Sequence, residues 1–189
     1  MNMSFRWLGA IAVGASVACA ASHHITAEAP RATAASKCST DSNFQRLAFW
    51  VGDWDVYDSV GTRYATQRVH AVLDACAITA EWIGPVGDKG MSLSAFDVRM
   101  GQWKQFYVSN QVPAPSSIKG RNSDPSYQGP GIRFIPLPDP TAGLAQTRVT
   151  IMPLSGGRVL QQFEDSPDGG KTWHMVFKAE HRLQRPPGP

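Results

Sequence analysis

Three cysteines in 189 residues, with no Cys-x-x-Cys and no His-Glu-x-x-His, leave neither a disulfide-dense scaffold nor a zinc module to build on. Charge is scarce as well: 17% of the residues are Asp, Glu, Lys or Arg, against roughly 25% in ordinary domains. The formal net charge of +3 lacks the strong basic footprint of a nucleic-acid binder. No apolar run reaches the ~20 residues that a membrane-spanning helix needs. Long amphipathic stretches are missing too, which excludes a coiled coil. What is present is 42% hydrophobic residues, 17 Gly and 14 Pro. A chain of this length buries roughly 70% of its unfolded surface, so one turn-rich globular domain is expected.

The first twenty residues read as an export signal. Met1 to Arg6 is a short n-region with one positive charge, and Trp7 to Ala18 is apolar. Ala18-Cys19-Ala20 supplies the small residues of a cleavage site after Ala20. Trp7 to Ala18 rises only about 18 Å as a helix, too little to cross roughly 30 Å of hydrocarbon. An alternative is acylation of Cys19, although Ser16 stands where lipoprotein signals carry a Leu-like residue. A periplasmic or secreted protein is expected, with a lipid anchor at Cys19 as the variant reading. Residues 21–42, rich in Ala, Ser and Thr, read as a flexible segment ahead of a domain spanning 43–185. Pro186-Pro187-Gly188-Pro189 forms a disordered tail.

Cysteine arithmetic agrees with export. Once Cys19 is removed or acylated, Cys38 and Cys76 remain, and in an oxidising compartment they pair or stay as two buried thiols. A pair is the simpler outcome outside the cytoplasm.

The domain reads as a strand meander. Asn43 to Val51 carries a short helical stripe of Phe44, Leu47 and Ala48. Strands follow at Trp54–Tyr57, Thr62–Leu73, Cys76–Ile83, Met91–Val98 and Trp103–Asn110, the last two forming a hairpin. Gln111 to Pro130 is an irregular connection with a short strand near Ile118. Ile132–Ile135, Ala145–Leu154, Arg158–Asp165 and Thr172–Leu183 complete an all-β pattern of about nine to ten strands. Sequential strands with tight turns favour an antiparallel up-and-down barrel, which removes exposed edges by closing.

The segment Phe49-Trp50-Val51-Gly52-Asp53-Trp54-Asp55-Val56 opens the first strand with Gly-x-Trp. With Cys76, Trp82, Trp103-x-Gln105-x-Tyr107 and Ser166-Pro167-Asp168-Gly169-Gly170-Lys171-Thr172-Trp173, it resembles a family of exported, lipocalin-like (calycin-type) bacterial proteins of uncharacterised function. The resemblance implies a barrel, two paired cysteines, structural roles for Gly52 and Trp54, and Arg182 packed over Trp54. It implies recurrent positions at Trp82 and Gln161 as well. Here Ala80 stands where a Glu is common and Ser94 where an Asn is common, which removes an obvious inward general base. Ser166-x-Asp168-x-Gly170-x-Thr172-Trp173 also matches the Asp-box of sialidases, but one copy cannot build a propeller. It is read as a structural turn involving Asp168, Gly170 and Trp173.

Catalytic templates fail. Gly90-Met91-Ser92-Leu93-Ser94 lies on a strand without a following helix, and Gly84 to Gly90 lacks the spacing of a phosphate loop. Alternation instead groups Trp103, Gln105 and Tyr107 on one face, and Ser92, Ser94 and Phe96 on another. Adding Trp82, Gln161 and Phe163 gives a face of aromatics and uncharged polar groups, the character of a small-molecule pocket. The leading expectation is an exported barrel holding a small, largely apolar molecule, with no cofactor. One alternative is an isomerase or cyclase using Tyr107 and Glu81, with Glu81 outward by parity with Trp82. Another is haem held by His181 on an apolar face shared with Trp173, Met175, Phe177 and Leu183. A further alternative is a structural envelope lipoprotein with a filled core.

Overall fold

The computed structural model describes residues 37–110, 119–138 and 143–185. The signal-like residues 1–20, with Cys19 and Ala20, and the tail 186–189 lie outside them. Ten strands are laid down in order: β1 Gly52–Tyr57, β2 Arg63–Val72, β3 Ala77–Ile83, β4 Lys89–Asp97 and β5 Gln102–Ser109. They continue as β6 Lys119–Ser123, β7 Ile132–Pro136, β8 Gln146–Leu154, β9 Arg158–Ser166 and β10 His174–Leu183. Each strand pairs antiparallel with its sequence neighbour, and β10 returns to β1, closing an up-and-down barrel. The short strand expected near Ile118 begins at Lys119.

One end of the barrel is stoppered. Phe44–Trp50 is a 3₁₀ helix rather than an α-helix, so its inward stripe recurs every three residues. Leu47 and Trp50 are buried and Phe44 is half-buried, whereas Ala48, expected in the stripe, faces solvent. The helix is tied to the end where β1 begins by three hydrogen bonds. Trp103 Nε1 donates to Asn43 O (2.9 Å), Arg46 Nη2 to Gly131 O (3.0 Å), and Trp54 Nε1 to Trp50 O (2.9 Å). Just upstream, Lys37–Ser39 forms a 3₁₀ turn, and Cys38 is disulfide-bonded to Cys76 at the entrance to β3. This turn and its disulfide lie within the stretch 21–42 that precedes the expected domain.

The core lies directly above this stopper. Trp50, Trp54, Val69, Ile78, Trp103, Phe134, Val149, Ile151 and Val159 pack into one buried cluster, each contributed by an inward position of its strand or by the helix. Gly52 marks the point where the helix turns into β1. Its φ is +153°, and a Cβ there would come to 2.8 Å from Leu183 Cδ2 and 3.3 Å from the Trp54 indole. Gly52→Ala is therefore expected to lower stability by about 1–2 kcal/mol. A urea midpoint shifted at unchanged slope would register this, and an unshifted midpoint would show that the turn accommodates a methyl group.

Two expectations for β10 need correction. Arg182 does not cover Trp54. It alternates with His181, so it points outward, stacks 4.1 Å over the Tyr57 ring and bonds Glu180 (2.8 Å). It is His181 that meets Trp54 edge-on, with ring centroids 6.2 Å apart. Nor do Met175 and Leu183 share the buried face. A β-bulge between Met175 and Phe177 breaks the alternation and leaves Met175 about half exposed while Phe177, Ala179 and His181 turn inward; Leu183 is about half exposed as the last residue of the strand.

The β9–β10 turn is organised by Asp168. One carboxylate oxygen accepts from Ser166 Oγ (2.8 Å), Lys171 N (3.0 Å) and Thr172 N (2.9 Å), and the other accepts from Thr172 Oγ1 (2.7 Å). Donation from Thr172, backbone and hydroxyl, then from Ser166, holds the Asp168 carboxyl down at about 2. Gly169 and Gly170 take φ of +74° and +88°, which glycine alone adopts without strain. Trp173 bonds Gly170 O through Nε1 (3.0 Å) and is capped by Arg148 at 4.3 Å, which in turn forks onto Glu164 (2.7 and 2.9 Å). Every polar group of the motif is thus engaged within the turn.

Candidate functional site

With one end stoppered, the inward side chains at the other end of the strands have nothing to pack against. They enclose a cavity of about 380 Å³, within the range of small-molecule sites. Its floor is Trp50. Its wall is aromatic on one side, where Tyr64 lies 5.9 Å from Trp82 and 5.7 Å from Phe177, and Phe163 lies 5.8 Å from Phe177. The opposite wall is polar, formed by Ser92, Gln105, Tyr107 and Arg121.

Six of the nine residues expected to line a lumen do so: Trp82, Ser92, Gln105, Tyr107, Gln161 and Phe163. Ser94, Phe96 and Trp103 do not. They share faces with the lining residues but sit a step deeper along the barrel axis, among the stopper contacts. Phe96 packs 5.4 Å from Phe44 and 6.3 Å from Trp103. Ser94 is fully buried and accepts a hydrogen bond from Gln105 Nε2 (3.2 Å). Parity identifies the face of a strand but not the depth at which core gives way to cavity.

Several lining residues escaped the sequence reading. Gln67 follows from the alternation of β2 with Ala65 and Val69, and Ala80 from that of β3. Tyr64, three residues before Gln67, lies on the other parity and lines the cavity near the start of the strand. Val176 enters through the bulge, which no periodic pattern foretells. Arg121 sits on β6, whose sequence Lys119-Gly120-Arg121-Asn122-Ser123 has no hydrophobic alternation to declare a buried face. Its burial follows from register alone, since Arg121 pairs with Gln105, which pairs with Ser94.

Two groups on the polar wall, Tyr107 and Arg121, are pushed toward their neutral forms. Burial raises the Tyr107 phenol, against a hydrogen bond with Ser109 and the nearby Arg121 charge, so the hydroxyl stays protonated at neutral pH. Burial also lowers Arg121, opposed by Tyr107. A guanidinium nonetheless remains charged in a protein. Glu81 is exposed on the outer face, as its parity with Trp82 requires, and so does not share the cavity with Tyr107.

His181 does not reach the cavity. It is completely buried, and its Nε2 lies 2.7 Å from Gln67 Oε1, so the neutral ring donates there. Burial pushes the imidazole down to about 4. With Gln67 and Trp54 between it and the lumen face, His181 does not fit the role of a haem ligand, and the expected apolar face around it is interrupted by the bulge. Among the described residues no group of three or more His, Cys, Asp or Glu is placed to hold a metal.

The fold and the cavity together define a stoppered antiparallel barrel with an open, half-aromatic lumen. No family model matches the chain, and no curated protein is detectably similar to it.

Proposed function

We propose that this is an exported, lipocalin-like barrel that binds a small, largely apolar molecule in its lumen. The observation that carries the reading is the stopper. A 3₁₀ helix, three hydrogen bonds and a disulfide close one end, while a cavity of about 380 Å³ is left at the other behind Trp82, Phe163 and Phe177. A protein with a simply filled core has no need of such asymmetry. The disulfide and the signal-like first twenty residues support export, since such bonds persist in oxidising compartments.

The test uses the neutral dye N-phenyl-1-naphthylamine with the full mature protein. Its fluorescence is expected to rise on binding, and Ser92→Phe, which fills the polar wall, is expected to weaken binding at least tenfold while the folded CD spectrum persists. Absence of dye binding, or equal binding by the filled variant, would overturn a lumenal site.

A further inference from the structure

Among the described residues Arg121 is a cation without a counter-ion. It is 5% exposed, on the inward face of β6, and its Nη1 donates to Gln105 Oε1 at 3.2 Å. That single amide oxygen satisfies one of five guanidinium N–H donors. No carboxylate among the described residues lies within 4.0 Å of it, although every other close ion pair, such as Arg148–Glu164 at 2.7 Å, is met on or near the surface. Asp165 also borders the cavity but stands exposed on β9, three strands away. A buried charge left unpaired is strongly unfavourable, so a fold that keeps one facing a cavity has a use for it there.

The surroundings of Arg121 indicate the use. Tyr107, held protonated, offers a second donor on the same wall, and Lys119 adds a positive charge at the rim, one inward position away on β6. Gln105 is fixed from behind by its bond to Ser94, so its oxygen holds the guanidinium plane in place rather than swinging to meet it. Across the lumen stand Trp82, Phe163 and Phe177. One wall therefore suits an anion and the other suits hydrocarbon.

Resting on the lumenal-binding reading above, we infer that the ligand is an amphiphilic organic anion. Its carboxylate is seated on Arg121 and Tyr107, and its apolar body lies against Trp82, Phe163 and Phe177. Guanidinium and carboxylate match as a planar, bidentate pair, and the low dielectric of the lumen strengthens that pairing.

Three ten-carbon probes separate this inference from the broader reading: decanoate, decanol and decyltrimethylammonium, each titrated against the full mature protein by displacement of N-phenyl-1-naphthylamine at neutral pH. Decanoate is expected to bind at least tenfold more tightly than decanol, with the ammonium weakest. Arg121→Gln, which removes the charge and keeps a hydrogen-bonding amide, is expected to lower decanoate affinity at least tenfold, to the level of decanol. Equal binding of decanoate and decanol by the wild type would overturn the anion site and leave the apolar lumen standing. Failure of decanoate to displace a bound dye would likewise overturn the anion site, whereas absence of dye binding overturns the lumenal reading itself. Because the wild-type ratio is decisive by itself, the outcome does not depend on the variant folding.

Discussion

Acidification from about pH 6.5 to about pH 4 is expected to remove about 3 kcal/mol of folding stability through one imidazole, that of His181. The group is completely buried, bonded to Gln67 and packed edge-on to Trp54, and burial lowers its pKa from 6.5 to about 4. The unfolded chain therefore takes up a proton near pH 6.5 that the folded chain resists until about pH 4. Stability is fully present above the unfolded value, falls through that window, and levels off below the folded value. The carboxylates held low in the folded state act further down. Glu164 beside Arg148, Glu180 beside Arg182, and Asp97 beside Lys104 begin to lose their contribution as the pH falls through their ordinary carboxylate values. Urea unfolding in steps across this window would check the assignment. His181→Gln is expected to be less stable at neutral pH yet nearly flat down to the carboxylate range. A variant whose profile falls in parallel with the wild type would place the responsible proton elsewhere.

Removing the disulfide by Cys38→Ser with Cys76→Ser is expected to cost about 3–4 kcal/mol, from the closure of a loop with a sequence separation of 38. The cost falls on a particular part of the fold, because the bond fixes the chain just before the stopper helix to the edge of β3. Beyond it the helix is held by the hydrogen bonds of Trp103, Arg46 and Trp54 and by the packing of Phe44, Leu47 and Trp50. The double variant should therefore open the stoppered end first. Hydrogen exchange at the Trp103 indole nitrogen, now bonded to Asn43 O, should accelerate more than exchange in the β3–β4 ladder. Uniform acceleration would mean that the bond stabilises the barrel globally, and an unchanged urea midpoint would remove it from the account of stability.

The barrel was legible in the sequence because its determinants are local. Alternation along Arg63–Val72 and Gln102–Ser109 specifies which side chains share a face, and the glycine-bearing turns specify where each strand ends. Ten short strands joined in order have few ways to satisfy their edges, so closure followed from elementary hydrogen-bonding needs. The helix was misread in period rather than in place. Its spacing of Phe44, Leu47 and Trp50 suits three residues per turn, and the preference for that spacing comes from the barrel end it covers.

The site was legible only in part, for a different reason. Parity points to Ser92, Gln105 and Tyr107, and the resemblance to Trp82, but parity also places Ser94, Phe96 and Trp103 beside them without distinguishing depth. Depth depends on which strands meet the stopper, and that is settled by contacts between residues as far apart as Asn43 and Trp103 or Arg46 and Gly131. The Met175–Phe177 bulge reversed the face of Met175 by a backbone irregularity that no periodicity encodes. Arg121 illustrates the limit most sharply. Its own strand carries no hydrophobic pattern, and it is inward because registry across β4, β5 and β6 aligns it with Ser94 and Gln105. The amino-acid sequence by itself determined an all-β chain, the faces of its longer strands and a pair of cysteines able to meet. Closure, stagger and the stopper decided which inward side chains pack, that Arg121 is buried at the cavity wall, and where the lumen stays open, because those depend on distances between strands that local patterning does not contain.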